Sequence, residues 1–386
     1  MTLAIRSPLV RLLVALAIAL TGCVGTDADD EPAVRIAFFQ DLSIPDHVDL
    51  VSPSFLAFDT VLRRRLDDEG LVADVVQFDT RGDPPPAVEM APAVAADPAF
   101  VLAVVAPFWH EPAGVARILA EAGVPTISLS PVSASPWRAS TAPPGDPAAL
   151  WRRFVPDREA EAVLLADIAG RRSPQGEPQP VCLVRDGSRY GLGLVEQVAE
   201  ALGEWPSTPI DASDPVAAAG AIDRAGCRVV VWGGFPPGAR DLARAMRAAG
   251  SARGRPIDVA GDALKTTIPP TSPAGDGVVV GSVACSCVDV SIDLALPSRR
   301  FVNTYQSEHG LVPGVYAAEA WDAGRLAAEA LRSGVRDREA MRAMFVATVA
   351  FDGIARPYAF DAIGELVDAE PGLYVAAGTR WLPLPA

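Results

Sequence analysis

The stretch that decides the fold is Val-Leu-Ala-Val-Val at residues 101–105. Five consecutive apolar residues, three of them β-branched, are typical of a strand that is buried on both faces. A similar run, Val-Arg-Ile-Ala-Phe-Phe at residues 34–39, lies upstream. Strands buried on both faces occur mainly in parallel sheets, because helices cover both sides of such sheets. The two runs therefore predict an α/β protein.

Outward from residue 101, strands and helices alternate along the first part of the chain. Helical spacing of apolar residues and the Asp83-Pro84 pair, a typical helix start, mark the helices. This βαβαβαβ order predicts a parallel sheet with helices on both faces. The predicted strands are 34–39, 74–79, 101–105 and 125–129, and the predicted helices are 55–68, 83–96 and 112–122.

The alternation restarts after residues 135–147, which are rich in Pro, Ser and Gly and are predicted to form a loop. Two α/β runs of similar length predict two lobes with similar folds. In this second run we predict helices at 157–169, 194–202, 238–249, 298–309, 315–331 and 338–349, and strands at 181–185, 229–232, 257–260, 278–282, 358–360 and 373–377.

The N-terminus has the pattern of an export signal. An apolar run at residues 12–20 follows two arginines and is shorter than the roughly 20 residues that span a bilayer. It ends in Leu20-Thr21-Gly22-Cys23, which resembles the lipobox of bacterial lipoproteins, in which the cysteine carries lipid. The alternative is an ordinary signal peptide with a chance cysteine. We expect a signal peptide at residues 1–22 and a solvated acidic tether at residues 23–33.

Composition and motifs exclude several classes of function. The net charge is −15, from 33 basic and 48 acidic residues, so the chain lacks the basic surface that nucleic-acid binding requires. We find no G-x-S-x-G, P-loop or H-E-x-x-H motif, and Gly191-Leu192-Gly193 lacks the third glycine of a dinucleotide fingerprint. His47, His110 and His309 are not spaced as metal ligands. We therefore predict no enzyme, no catalytic residue, no metal and no cofactor.

Four cysteines follow Cys23, and they allow three pairings in an exported chain. They are Cys182, Cys227, Cys285 and Cys287. Because Cys285 and Cys287 are only two residues apart, we expect each to bond to a distant partner.

From about residue 34 to residue 381 the chain resembles the type I periplasmic solute-binding proteins, and most closely the Leu/Ile/Val receptors of ABC importers. The resemblance rests on six short segments in the family's order. They are Asp-Thr-Arg-Gly-Asp-Pro (79–84), Val-Val-Ala-Pro-Phe-Trp (104–109), Ile-Ser-Leu-Ser-Pro-Val-Ser-Ala-Ser-Pro (127–136), Arg-Tyr-Gly-Leu-Gly (189–193), Trp-Gly-Gly-Phe (232–235) and Gly-Val-Tyr-Ala-Ala (314–318).

The resemblance implies two Rossmann-like lobes with parallel sheets, joined by three crossovers near residues 154–157, 280–285 and 358–368. A small solute would bind between the lobes, which close on it by hinge motion. By this resemblance the N-terminal lobe comprises residues 34–155 and 285–358, and the C-terminal lobe comprises residues 156–284 and 359–386.

The resemblance also assigns ligand-binding positions. In the family, hydroxyls and backbone N–H groups hold a carboxylate, an acidic residue holds an ammonium group, and aromatic rings cover the side chain. The corresponding residues are Trp109, His110, Ser130 and Ser133 for the carboxylate, Asp262 for the ammonium group, and Tyr190, Phe235 and Tyr316 for the cover.

Each of these residues also has a structural alternative. Phe235 and Tyr316 would then pack in the core or hinge, and Asp262 would cap the turn that follows it. His110 would be a surface loop residue, and Ser133 would bond its own backbone.

Two segments depart from the family pattern, and these departures weaken the inference of the family's ligand specificity for this chain. The loop at residues 40–45 replaces the family's glycine-bearing loop, and Trp109-His110-Glu111 replaces an expected serine or threonine. Branched-chain specificity is therefore not inferred, and our expected ligand is an amino acid or a related small solute.

Two functions remain: solute capture for an ABC permease, and a non-transport sensor or envelope-enzyme regulator on the same fold. For either we expect an extracytoplasmic monomer anchored by lipid, in the cell membrane or in a Gram-negative outer membrane facing the periplasm.

We predict that Cys23 is the mature N-terminus and carries the lipid. Metabolic labelling with a palmitate analogue should mark the wild-type protein and should not mark Cys23→Ala, because the acylated thiol is then missing. Equal labelling of the two proteins would contradict the assignment.

Overall fold

The computed structural model describes residues 34–43, 45–81, 84–106, 112–130, 150–172, 180–251, 256–265, 277–285, 296–378 and 380–384. Several sequence predictions lie outside these residues. They concern the signal peptide, the tether and Cys23, the ligand positions Trp109, His110 and Ser133, and Cys287.

The first sheet has five parallel strands in the order β2-β1-β3-β4-β5. The four strands predicted for this part of the chain are confirmed, and β5 is an addition. The strands are β1 (Arg35–Gln40), β2 (Asp74–Asp79), β3 (Phe100–Val105), β4 (Thr126–Ser128) and β5 (Trp151–Arg153).

Helices α1 (Pro45–Asp67), α2 (Pro84–Ala96) and α3 (Pro112–Glu121) connect these strands. Helix α1 begins ten residues before the predicted start at residue 55. The prediction started too late because Pro53 lies inside the helix, and a proline at an interior position usually breaks a helix. Strand side chains alternate between the two faces: Phe38 packs in one apolar core and Phe39 in the other.

The second sheet contains five parallel strands, β6 (Val181–Arg185), β7 (Ser207–Asp211), β8 (Val229–Gly233), β9 (Val259–Ala260) and β10 (Val279–Ser282). The helices between them are α4 (Arg158–Arg172), α5 (Arg189–Leu202), α6 (Pro215–Ala225) and α7 (Pro236–Ala248). Strand β7 and helix α6 were not predicted. Both faces of this sheet are covered by helices and carry separate apolar cores.

The rest of the chain returns to the first sheet and then back to the second. Helix α9 packs along α1, and an antiparallel pair, β11 and β12, follows α10. Strands β13 and β14 then extend the second sheet antiparallel to β10, giving the order β14-β13-β10-β9-β8-β6-β7. The elements are α8 (Leu296–His309), α9 (Ala317–Arg332), α10 (Arg338–Ala347), β11 (Ala350–Asp352), β12 (Pro357–Ala359), β13 (Gly372–Ala377) and β14 (Arg380–Leu384).

The chain therefore passes between the two sheets three times: after β5, after β10 and after β12. The predicted fold, two α/β lobes joined by three crossovers, is confirmed. The exact lobe boundaries given above stay a prediction.

A disulfide joins Cys182 in β6 to Cys227, just before β8. Since these two cysteines bond to each other, neither is available to Cys285 or Cys287. The expectation that each of those two bonds to a distant partner among the four cysteines is therefore wrong.

Close packing explains the glycine of the Tyr-Gly-Leu-Gly segment. Gly191, in the first turn of α5, lies against the carbonyl of Gly233, and a methyl group at residue 191 would overlap that oxygen. The Ser188 hydroxyl accepts a hydrogen bond from the Gly191 N–H at 2.9 Å and caps the helix. This segment is thus a helix start that packs tightly on β8.

Candidate functional site

The structure brings together four of the predicted ligand residues, and it buries all four. Tyr190, Phe235 and Asp262 follow the carboxyl ends of β6, β8 and β9, and Tyr316 immediately precedes α9. We call this group, with the two further residues described below, the Asp262 cluster. Since parallel strands end at one edge of their sheet, these loops meet at the edge where open α/β sheets bind ligands.

Asp262 accepts hydrogen bonds from both tyrosines. The Tyr190 hydroxyl donates to Oδ1 at 2.6 Å, and the Tyr316 hydroxyl donates to Oδ2. The N–H of Ala263 in turn donates to the Tyr190 hydroxyl at 3.3 Å. Burial raises the pKa of Asp262 to about 6, although the hydrogen bond from Tyr190 opposes this shift.

Tyr316 joins two parts of the fold. It occupies the N-cap position of α9, which packs on α1 beside the first sheet, while the Tyr316 ring packs in an apolar core of the second sheet. Its backbone has φ 67°, a left-handed conformation that costs a non-glycine residue roughly 1–3 kcal/mol. The hydrogen bond to Asp262 and the burial of the ring offset that cost.

Phe235 packs against Tyr190, with ring centroids 5.3 Å apart. Its backbone N–H donates to Asp186 Oδ2 at 2.6 Å, and the N–H of Ser188 donates to Asp186 Oδ1 at 2.9 Å. Asp186 therefore ties the loop after β6 to the loop after β8 and fixes both aromatic rings.

We did not identify two charged residues of the cluster from the sequence: Arg158 and Glu161, at the start of α4. Both are buried. Glu161 Oε1 accepts the backbone N–H of Asp262 at 2.7 Å, and the Arg158 guanidinium carbon lies 5.3 Å from the Tyr190 ring centroid. Burial raises the pKa of Glu161 well above its usual value, and burial lowers the pKa of Arg158.

Polar atoms of these two residues are left without partners. Nε and Nη2 of Arg158 and Oε2 of Glu161 are buried and form no hydrogen bond with a described residue. Burying such groups unpaired is costly, and here donors and an acceptor lie next to the Asp262 carboxyl, so we take them as candidate positions for ligand atoms. The sequence shows two opposite charges three residues apart at the start of a helix, a pattern that does not distinguish a buried pair from a solvated one.

Two glycines make room for these side chains. A methyl group at Gly193 would meet the Arg158 guanidinium, and one at Gly261 would meet the Tyr190 hydroxyl and the Leu194 side chain. The second glycine of the Tyr-Gly-Leu-Gly segment therefore accommodates a buried arginine.

Ser130 lies at the carboxyl end of the first sheet, just after β4, and is buried. Its N–H donates to the Ser128 hydroxyl at 3.2 Å. Its role in ligand binding stays a prediction, as do those of Trp109, His110 and Ser133.

Within the described residues, no group of three or more His, Cys, Asp or Glu side chains is arranged to hold a metal ion. No helix in the same part of the chain is long and apolar enough to cross a membrane.

The sequence and the fold place the chain in a known family. Residues 55–370 match the family model described as periplasmic binding protein, and the chain belongs to that family. Its members bind small solutes and work with ABC permeases, and its architecture is the type I periplasmic binding protein fold. No curated protein sequence matches the chain.

Solved structures from the family superimpose on nearly the whole chain. LivJ of Streptococcus pneumoniae, a branched-chain amino acid transporter substrate-binding protein in complex with isoleucine, has a TM-score of 0.68 and 16% identity over 91% of this chain and 99% of its own. A solute-binding protein of R. palustris in complex with benzoate has a TM-score of 0.65 and 18% identity over 91% of this chain and 95% of its own. A fatty acid ABC transporter substrate-binding protein of Thermomonospora curvata has a TM-score of 0.68 and 13% identity over 91% of each chain.

We predict that Tyr316→Phe lowers the free energy of unfolding by about 1–3 kcal/mol, because it leaves Asp262 short of a buried donor. Urea denaturation measures the change. Tyr305→Phe is the matched control: Tyr305 is also buried, but its hydroxyl has no partner among the described residues, so its removal should cost nothing. Equal destabilisation of the two variants would contradict the hydrogen bond's role.

Proposed function

We propose that the protein is an extracytoplasmic, lipid-anchored solute-binding protein that captures an amino acid or a related small solute between two closing lobes and delivers it to an ABC permease. The observation that carries the proposal is the set of buried, unpartnered polar atoms of Arg158 and Glu161 beside the Asp262 carboxyl. Family membership supports the extracytoplasmic location and the transport role.

The composition of the cluster suits a small molecule. Tyr190, Phe235 and Tyr316 supply apolar rings, while a few convergent charged groups can fix one orientation, as in most small-molecule sites. The site needs no catalytic group to bind and release a solute.

The solutes of the structural relatives support a carboxylate-bearing ligand. Isoleucine, benzoate and fatty acids, named for the three relatives above, share a carboxylate and differ elsewhere. Arg158 offers two N–H donors of the kind that binds carboxylates well. A net charge of −15 disfavours the capture of polyanions.

The remaining parts of the proposal come from the sequence. The lipid anchor rests on Cys23, and the two closing lobes on the boundaries given above. We expect the protein to act as a monomer and to bind no nucleic acid.

We predict that freshly purified protein retains a small solute, because a closed cleft releases its ligand slowly. Native mass spectrometry should show a bound mass that denaturation releases. After stripping by unfolding and refolding, addition of that solute should lower the radius of gyration in small-angle X-ray scattering, because the lobes close.

Two outcomes would count against the proposal. If no solute co-purifies and none binds from a panel of amino acids, short peptides, sugars and polyamines, the non-transport alternative is favoured. If a solute binds but the scattering curve does not change at saturation, capture by lobe closure is wrong.

A further inference from the structure

Hydrogen bonds within the described residues do not explain the burial of Arg158. A guanidinium stays charged in proteins, so it cannot escape the cost of burial by losing its proton. The residue is only 5% exposed, and neither Nε nor Nη2 has a hydrogen-bond acceptor among the described residues. Glu161 and Asp262 lie near enough to act on its charge, but neither is hydrogen-bonded to these two N–H groups.

The surroundings hold Arg158 in one place. Its guanidinium lies near the Tyr190 ring, a contact that favours a flat, stacked cation. Gly193 leaves the space that the guanidinium occupies. The Nε and Nη2 groups, which together form the fork that binds a carboxylate side-on, are the two groups without partners.

Glu161 supplies the complementary group. Residues three apart on a helix share a face, with Cβ atoms about 5–6 Å apart, so Glu161 lies beside Arg158. One of its oxygens is used by the N–H of Asp262, and the other, Oε2, has no partner among the described residues. Paired donors and a free acceptor thus lie side by side.

We propose that Arg158 and Glu161 bind the charged end of an α-amino acid, with the solute carboxylate on Nε and Nη2 of Arg158 and its ammonium group on Oε2 of Glu161. The inference rests on the proposed function and names its solute class. It places the carboxylate on the C-terminal lobe, whereas the sequence resemblance placed it at Trp109, His110, Ser130 and Ser133. Each carboxylate oxygen of Asp262 accepts a hydrogen bond from a tyrosine hydroxyl, and its backbone N–H donates to Glu161. Asp262 then positions Glu161 and the two tyrosines around the solute.

Charge balance favours a zwitterion over other carboxylates. The buried cluster contains one cation, Arg158, and two carboxyls, Glu161 and Asp262, whose pKa values burial raises. An amino acid adds no net charge to the cluster and offers a carboxylate to Arg158 and an ammonium group to Glu161. Benzoate or a fatty acid offers no donor to Glu161 Oε2, and a simple amine offers no acceptor to Arg158.

The test begins with calorimetric titration of ligand-stripped protein with the twenty standard L-amino acids. The tightest binder is then compared with its carboxamide and with its deaminated carboxylic acid. Wild-type protein should bind each of these two analogues at least about tenfold more weakly, the loss expected for one charge-assisted hydrogen-bonding group.

Variants of α4 then assign the groups. Arg158→Gln should lose about tenfold or more in affinity for the amino acid and little for its carboxamide, because only the charged carboxylate needs the guanidinium. Glu161→Gln should weaken binding of the amino acid and spare the deaminated acid. Arg171→Gln is the matched control, because Arg171 lies on the same helix but is exposed and paired with Asp167. It should bind as the wild type does.

Arg158→Lys keeps the charge and loses the fork, so it should weaken amino-acid binding even if Arg158→Gln fails to fold. The inference is overturned if a folded Arg158 variant binds the amino acid as tightly as wild type, or if wild type binds the carboxamide equally well. If wild type binds no amino acid but retains another solute, the inference fails and the proposed function stands. If it binds no solute, both fail.

Discussion

The Asp262 carboxylate, buried and bonded to two tyrosine hydroxyls, is the interaction on which the rest of the structure depends. Tyr190 reaches it from the first turn of α5, beside β6, and Tyr316 reaches it from the start of α9, a helix that packs on the first sheet's side of the molecule. A carboxylate removed from water must be hydrogen-bonded, so its presence fixes both tyrosines and, with them, the junction between the two halves.

Helix α9 extends this polar junction along one face. Glu319 accepts hydrogen bonds from the Cys285 N–H at 2.7 Å and from Arg356 Nη2 at 3.2 Å. One turn further on, Asp322 accepts the N–H groups of Ile354 and Ala355 at 2.8 and 2.9 Å. The segment after β10 and the turn between β11 and β12 are therefore attached to the same helix that carries Tyr316.

The first and third crossings are also tied to each other. Arg153, in the last residue of β5, donates from Nε to Glu365 Oε2 at 2.7 Å, and its N–H donates to the Gly364 carbonyl at 2.9 Å. Hydrogen bonds of this kind are directional, so they define where the chain passes between the lobes more sharply than apolar packing alone.

Most of the fold could be predicted from the sequence, because the central strands are apolar runs such as residues 101–105 and 181–185. Helix α6 was missed although its signals are present: Asp214 caps it, Pro215 opens it, and Gly226 ends it in a left-handed conformation. Its many alanines gave no clear apolar stripe. The Cys182–Cys227 pairing depends on which strands are neighbours, and spacing along the chain does not reveal that.

The candidate site was only partly predictable. The resemblance named Tyr190, Phe235, Asp262 and Tyr316, and the structure places them together. Arg158 and Glu161 were missed because two opposite charges near a helix start look the same in sequence whether they face water or a buried site. Their burial follows from the position of α4 against the second sheet, which only the folded chain shows.

The most direct test of the account is a crystal structure of the protein purified without stripping. We expect electron density for one small molecule at the Asp262 cluster, with a carboxylate within hydrogen-bond distance of Arg158 Nε and Nη2. A well-ordered structure in which Arg158 and Glu161 are paired only with side chains of the protein itself, with no solute at the cluster, would contradict it.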